Sequence, residues 1–205
     1  MQWFEGEVNE LAMELAAYPV ARPAVVYGSS SIRLWTTLSA DLKDKRAVNA
    51  GFGGSTLEAC AFFFKRIVVP LKPASLLVYA GENDLGDGRS PQEVLAFFRA
   101  LAAEVEVSCG PIPFGFISIK PSPARSGLLD RIRETNALVR AEIERLPHGF
   151  FVPVLDAMLT HGKPRPELYL ADGLHLRRAG YKLWTELLEP FRDNIFGAPP
   201  RPEEA

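Results

Sequence analysis

The chain is short of the residues that mark several specialised protein classes. Its 205 residues include two cysteines, Cys60 and Cys109. That is too few for a disulfide framework, and their spacing is not that of a metal site. Both sit among apolar residues and are read as small buried hydrophobes. There are only three histidines, so histidine-dependent chemistry has few places to reside. Neither sign of charge is in excess: the formal net charge is −2, which gives no reason to expect nucleic acid as a partner. No apolar run approaches the roughly 20 residues of a membrane span. The opening stretch MQWFEGEVNELAMELAAYPV lacks a basic start and carries Glu5, Glu7, Glu10 and Glu14. It does not read as a secretory signal, and a cytoplasmic location is the expectation. Three familiar motifs are also missing. The nucleophile elbow G-x-S-x-G does not occur around the serine cluster. GFGGST (51–56) carries Thr56 where a dinucleotide fingerprint has its last glycine, and it has no P-loop lysine.

What is present is the composition of an ordinary globular protein, 47% hydrophobic and 23% charged. With no repeat, linker or break in composition, one domain over residues 1–205 is expected. Residues 1–20 read as an amphipathic N-terminal helix packed on the body, with Phe4, Val8, Leu11, Leu15 and Ala16 at helical spacing. Residues 197–205 (GAPPRPEEA) read as a flexible tail.

Five short apolar runs are AVVYG (24–28), RAVNAG (46–51), SLLVYAG (75–81), PFGFISI (113–119) and GFFVPVL (149–155). They are continuous rather than alternating, which suits strands buried on both faces of a parallel sheet. Helical patterns over 55–69, 91–107, 126–146 and 178–195 lie between and after them. Ser90-Pro91 supplies an N-cap and first-turn pair for the second of these. The alternation predicts a three-layer α/β/α domain with right-handed crossovers.

Ligands of such sheets bind beyond the carboxyl ends of the strands. The junctions there are GSSS, NAGFGGST, GENDLGDG, KPSPAR and, further on, ADGLH. His148 and His161 lie in turns. His175 lies three residues after Asp172, at the start of a helix. An Asp at that offset can hold one ring nitrogen and leave the other free as a base, or the pair can simply close a turn. Ser29, Ser30 and Ser31 offer a nucleophile, a helix cap, or both. The glycine loop offers backbone N–H groups, and Asn83 a side-chain donor or a turn residue. Together they are the parts of acyl transfer: nucleophile, oxyanion donors, base and orienting carboxylate.

These four blocks, in this order, resemble the SGNH hydrolase superfamily, or GDSL-type esterases and lipases. The likeness is to the bacterial branch related to platelet-activating-factor acetylhydrolase. Gly28-Ser29-Ser30 matches the G-D-S block and AGFGGST the glycine block. Gly81-Glu82-Asn83-Asp84 matches G-x-N-D, and Asp172 to His175 matches D-x-x-H. One departure is Ser29, where the family usually has Asp.

The resemblance implies a flavodoxin-like five-stranded parallel sheet and a Ser30–His175–Asp172 triad. The Ser30 and Gly54 N–H groups and the Asn83 side chain would then form the oxyanion hole. It implies an esterase for short-acyl, first of all acetyl, esters that needs neither cofactor nor metal. A lysophospholipid and an O-acetylated carbohydrate are both open as substrates. Small-molecule esters are the expected partners, with no membrane insertion, and a homodimer is compatible with the family. Phe52, Trp35 and Tyr169 are the candidate pocket-lining aromatics. Lys120, Arg125, Arg89 and Arg177 are read as solvated charge, with an anionic substrate as the other use. The competing reading is a non-catalytic, flavodoxin-like phosphate- or nucleotide-binding module, which leaves Asp172, His175 and Asn83 without a task. An interaction protein on a hydrolase scaffold is the third.

Overall fold

The computed structural model describes residues 1–197. Five strands form one parallel sheet: β1 (Ala24–Gly28), β2 (Ala47–Gly51), β3 (Ser75–Tyr79), β4 (Phe114–Ile117) and β5 (Gly149–Val152). Their spatial order is β2-β1-β3-β4-β5. Each falls within a predicted apolar run. A two-stranded hairpin, β6 (Leu159–Thr160) with β7 (Lys163–Pro164), was not expected.

The helices are α1 (Glu5–Ala16), α2 (Ser30–Arg33), α3 (Leu38–Asp41), α4 (Leu57–Ile67), α5 (Glu82–Gly86), α6 (Pro91–Cys109), α7 (Leu129–Ile143), α8 (Arg178–Leu188) and α9 (Arg192–Phe196). α6 starts with a complete capping box: the Ser90 hydroxyl accepts from Glu93 N–H and the Glu93 carboxylate from Ser90 N–H. α5 and the two four-residue helices have no periodic signal, because one turn is too short to show a face. All of the predicted tail except Gly197 lies outside the described residues.

Successive strand side chains point to opposite faces of the sheet, and this divides the core in two. Val25, Tyr27, Val48, Leu76, Val78, Phe114 and Phe116 meet α1, α4, α6 and α7. Ala24, Val26, Leu77, Tyr79, Phe150 and Val152 meet α2, α3, α8 and α9. That is the three-layer architecture. β1 pairs with both β2 and β3, so the strand order reverses beside it. Chain leaving β1 and β3 therefore enters the crevice where parallel sheets bind ligands.

Candidate active site

β1 ends on Gly28, whose φ is +142°; a β-carbon there would stand 1.9 Å from the Tyr79 carbonyl oxygen. Only glycine lets the end of β1 run this close to β3. The next N–H, of Ser29, donates to that same carbonyl at 2.9 Å. Ser29 is extended and precedes α2, so Ser30 is the first helical residue, its N–H among those with no intrahelical acceptor. Ser31 is buried, and its carbonyl accepts from the Tyr181 hydroxyl. The three serines thus face three different surroundings.

The turn before α8 brings His175 to Ser30. Nε2 lies 3.2 Å from Ser30 Oγ, and Nδ1 lies 2.7 Å from Asp172 Oδ2. The other oxygen, Asp172 Oδ1, accepts from Leu174 N–H and His175 N–H, each at 2.9 Å. The His175 hydrogen bond, then those two N–H groups, hold the Asp172 carboxyl down at about 2. An ionised Asp172 selects the tautomer with the proton on Nδ1, leaving Nε2 to accept from Ser30.

A carboxyl-resonance NMR titration is expected to show Asp172 turning over near 2. In His175→Ala the value should move up toward the ordinary carboxylate range. Its contribution to stability is fully present above that range and is lost as pH falls toward 2. An unchanged Asp172 midpoint in His175→Ala would contradict the assigned cause.

On the other side of Ser30, the loop from β2 to α4 carries Gly54 and Ser55. Asn83, in the first turn of α5, donates from Nδ2 to the Ser55 carbonyl at 3.0 Å. Asp84 is fully buried and accepts from Leu57 N–H at 2.8 Å, capping α4 from another segment. Its carboxyl is pushed up by burial, against the pull of the N–H groups it accepts from. Two of the matched blocks are thereby bolted together. A third tie comes from α1: Glu7 Oε1 accepts from Gly53 N–H at 2.8 Å and lies 3.4 Å from Arg33 of α2.

Comparison with known proteins now bears on this geometry. Residues 24–183 match the model of the GDSL-like lipase/acylhydrolase family. The chain belongs to that family. It is therefore an acylhydrolase of the carboxylic-ester class. No curated protein sequence matches it. Solved structures of similar fold include one from Streptococcus pneumonia named for platelet activating factor. It has a TM-score of 0.80 and 20% identity over 93% of this chain and 95% of that one. A GDSL-like lipase from Bacteroides thetaiotaomicron has a TM-score of 0.75 and 21% identity over 91% and 97%. A variant of Axe2, an acetyl-xylooligosaccharide esterase from Geobacillus Stearmophilus, has a TM-score of 0.65 and 15% identity over 86% and 95%. At these identities the likeness speaks for the fold alone.

In this acylhydrolase the three candidate pocket aromatics are buried. Phe52 packs edge-on against Phe4 and Phe63. Trp35 stacks on Tyr181 and donates to Asp41 at 2.8 Å. Tyr169 donates to the Pro121 carbonyl. Each lies in or near a motif block in sequence, but these side chains turn back into the two cores.

The acylhydrolase also buries a cation for which the sequence predicts a solvated place. Lys120 is fully buried, with Nζ 2.6 Å from Glu82 Oε2, 2.7 Å from Ser122 Oγ and 2.8 Å from the Leu174 carbonyl. Burial pulls its ammonium pKa down, and Glu82 opposes that pull. No pattern in the sequence marks this, because Glu82, Lys120 and Leu174 meet only through three separate strand-end loops. Arg89 is on the surface beside Glu58 and Glu93, as expected. A cavity of about 570 Å³, lined by Phe114, His148 and Gly149 among others, opens at the opposite end of the sheet from Ser30. Among the described residues no helix is long and apolar enough to cross a membrane.

Proposed function

We propose that this acylhydrolase is a serine esterase for short-acyl, first of all acetyl, esters, acting through Ser30, His175 and Asp172. The observation that carries the reading is the hydrogen-bonded chain Asp172–His175–Ser30, with separations of 2.7 Å and 3.2 Å. Nucleophile and base within such reach, with the base oriented by a third group, are what acyl transfer requires.

Ser30 Oγ attacks the ester carbonyl carbon as His175 Nε2 takes its proton. The carbonyl electron pair moves onto oxygen, and the Ser30 N–H, the Gly54 N–H and Asn83 receive the oxyanion. Asn83 supports this role because one N–H of its amide is engaged with Ser55 and the second is left to donate. Collapse expels the alcohol, which takes the proton from His175. Water, deprotonated by the same nitrogen, attacks the acyl carbon, and collapse releases the acid as Ser30 Oγ takes the proton back from His175. Asp172 stays ionised and stabilises the imidazolium. His175 carries the proton in both halves, so no step calls for a metal or an organic cofactor.

The acetyl preference agrees with the name of the acetyl-xylooligosaccharide esterase of similar fold. The test is a series of p-nitrophenyl esters and acetylated sugars, with fluorophosphonate labelling of the nucleophile. Acetate esters should turn over fastest, and labelling should vanish in Ser30→Ala. Neither labelling nor turnover, with FMN or phosphate bound instead, would favour a binding module. Asn83→Ala should lower kcat by about 10²–10³, the usual loss for one oxyanion donor.

A further inference from the structure

The esterase reading assigns no task to Arg125, yet this side chain ends on the candidate oxyanion donor. Its Nη1 donates to Asn83 Oδ1 at 2.9 Å and to the Glu82 carbonyl at 3.1 Å. The guanidinium lies against Gly86, where a β-carbon would come within 3.0 Å of Cζ and 3.1 Å of Nε and Nη2. Gly86 therefore provides the slot that Arg125 fills. Glu82 Oε1, 3.9 Å away, supplies countercharge.

A side-chain amide can turn over, exchanging its oxygen and nitrogen in nearly the same space. Arginine has donors and no acceptor. Its contact with Asn83 is satisfied only when Oδ1 faces Arg125 and Nδ2 faces Ser55 and the glycine loop. A cation donating to an amide oxygen also draws electron density from the nitrogen and makes its N–H groups better donors. Both effects favour a negative charge beside Nδ2, and that charge exists only in the tetrahedral transition state.

We propose that Arg125 is a positioning residue for the oxyanion hole, which orients the Asn83 amide and strengthens it as a donor. The inference rests on the serine-esterase reading and on the place of Asn83 in it.

The test compares wild type with Ser30→Ala, Asn83→Ala, Arg125→Met, Arg125→Lys and the two double variants with Asn83→Ala. Rates of p-nitrophenyl acetate hydrolysis are taken per folded protein, with the folded fraction of each variant measured by circular dichroism, so misfolded protein does not count. Arg125→Met should lower kcat about tenfold to a hundredfold, the range for a hydrogen bond to a charged group. KM should change by less than about twofold, since ground-state binding is untouched. In the Asn83→Ala background the same change should cost almost nothing. Arg125→Lys keeps the charge but loses the planar fork, so it should fall between. If Arg125→Met does not fold, the Arg125→Lys cycle decides by the same non-additivity. Unchanged kcat in the Arg125 variants, or losses that multiply fully with Asn83→Ala, would overturn the proposal. An unaffected Asn83→Ala would remove the donor assignment and this proposal with it. Full activity in Ser30→Ala would instead sink the esterase reading.

Discussion

Ser30→Ala is expected to lose about a millionfold in kcat, the scale found when a serine nucleophile is deleted from a triad. Ser31→Ala should keep most of its activity. The contrast follows from where the two hydroxyls stand. Ser30 Oγ is 3.2 Å from His175 Nε2. Ser31 is buried under α8, with its carbonyl held by Tyr181. Deleting the Ser31 hydroxyl touches packing, whereas deleting that of Ser30 removes the oxygen poised against Nε2 of the base. Rates should be measured on protein whose fold is checked by circular dichroism. Activity lost in Ser31→Ala and kept in Ser30→Ala would mean that the register of the motif is wrong by one residue.

Lys120→Met should carry the largest loss of stability, about 3–5 kcal/mol, the usual cost of removing one partner of a buried pair. For a domain of this size each kcal/mol shifts Tm by about 2–4 °C, so the melting point should fall by about 6–20 °C. The reason is what remains behind. Glu82 would stay buried, with hydrogen bonds from Tyr79 and Ser122 but no cation at its Oε2. The Leu174 carbonyl, next to His175, would lose its donor as well. Adding Glu82→Gln removes the stranded charge, so the double variant should be more stable than Lys120→Met alone. Urea unfolding followed by fluorescence measures both. A Lys120→Met protein as stable as wild type would show that the pair is dispensable, as some buried pairs are.

The motif match and the fold class were legible early because their signals are local. Strand runs buried on both faces are apolar throughout, so AVVYG and SLLVY announce themselves without knowledge of their neighbours. The four blocks each occupy a few consecutive residues at strand ends, and chain order alone aligns them. Asp172 and His175 sit in one turn, close enough for their pairing to be argued from spacing. The Ser30 assignment likewise needed only the register of the blocks.

What the sequence by itself determined, then, was the layered α/β class, the strand positions and the motif blocks at the ligand-binding edge; the helix expected over 178–195 breaks at Glu189–Phe191 into α8 and α9. Tertiary structure alone decided which side chains stand behind that edge. Phe52, Trp35 and Tyr169 look available beside their motifs, but the direction of each side chain depends on helices packed from elsewhere, and all three went into the core. Lys120 and Glu82 are 38 residues apart, and Arg125 and Asn83 are 42 apart. Glu7 and Gly53 are separated by 46. Such contacts leave no periodicity and no motif. The first two arise because parallel strands deliver their carboxyl ends to one side of the sheet, so residues far apart in the chain converge there, and the third because α1 packs back beside that edge.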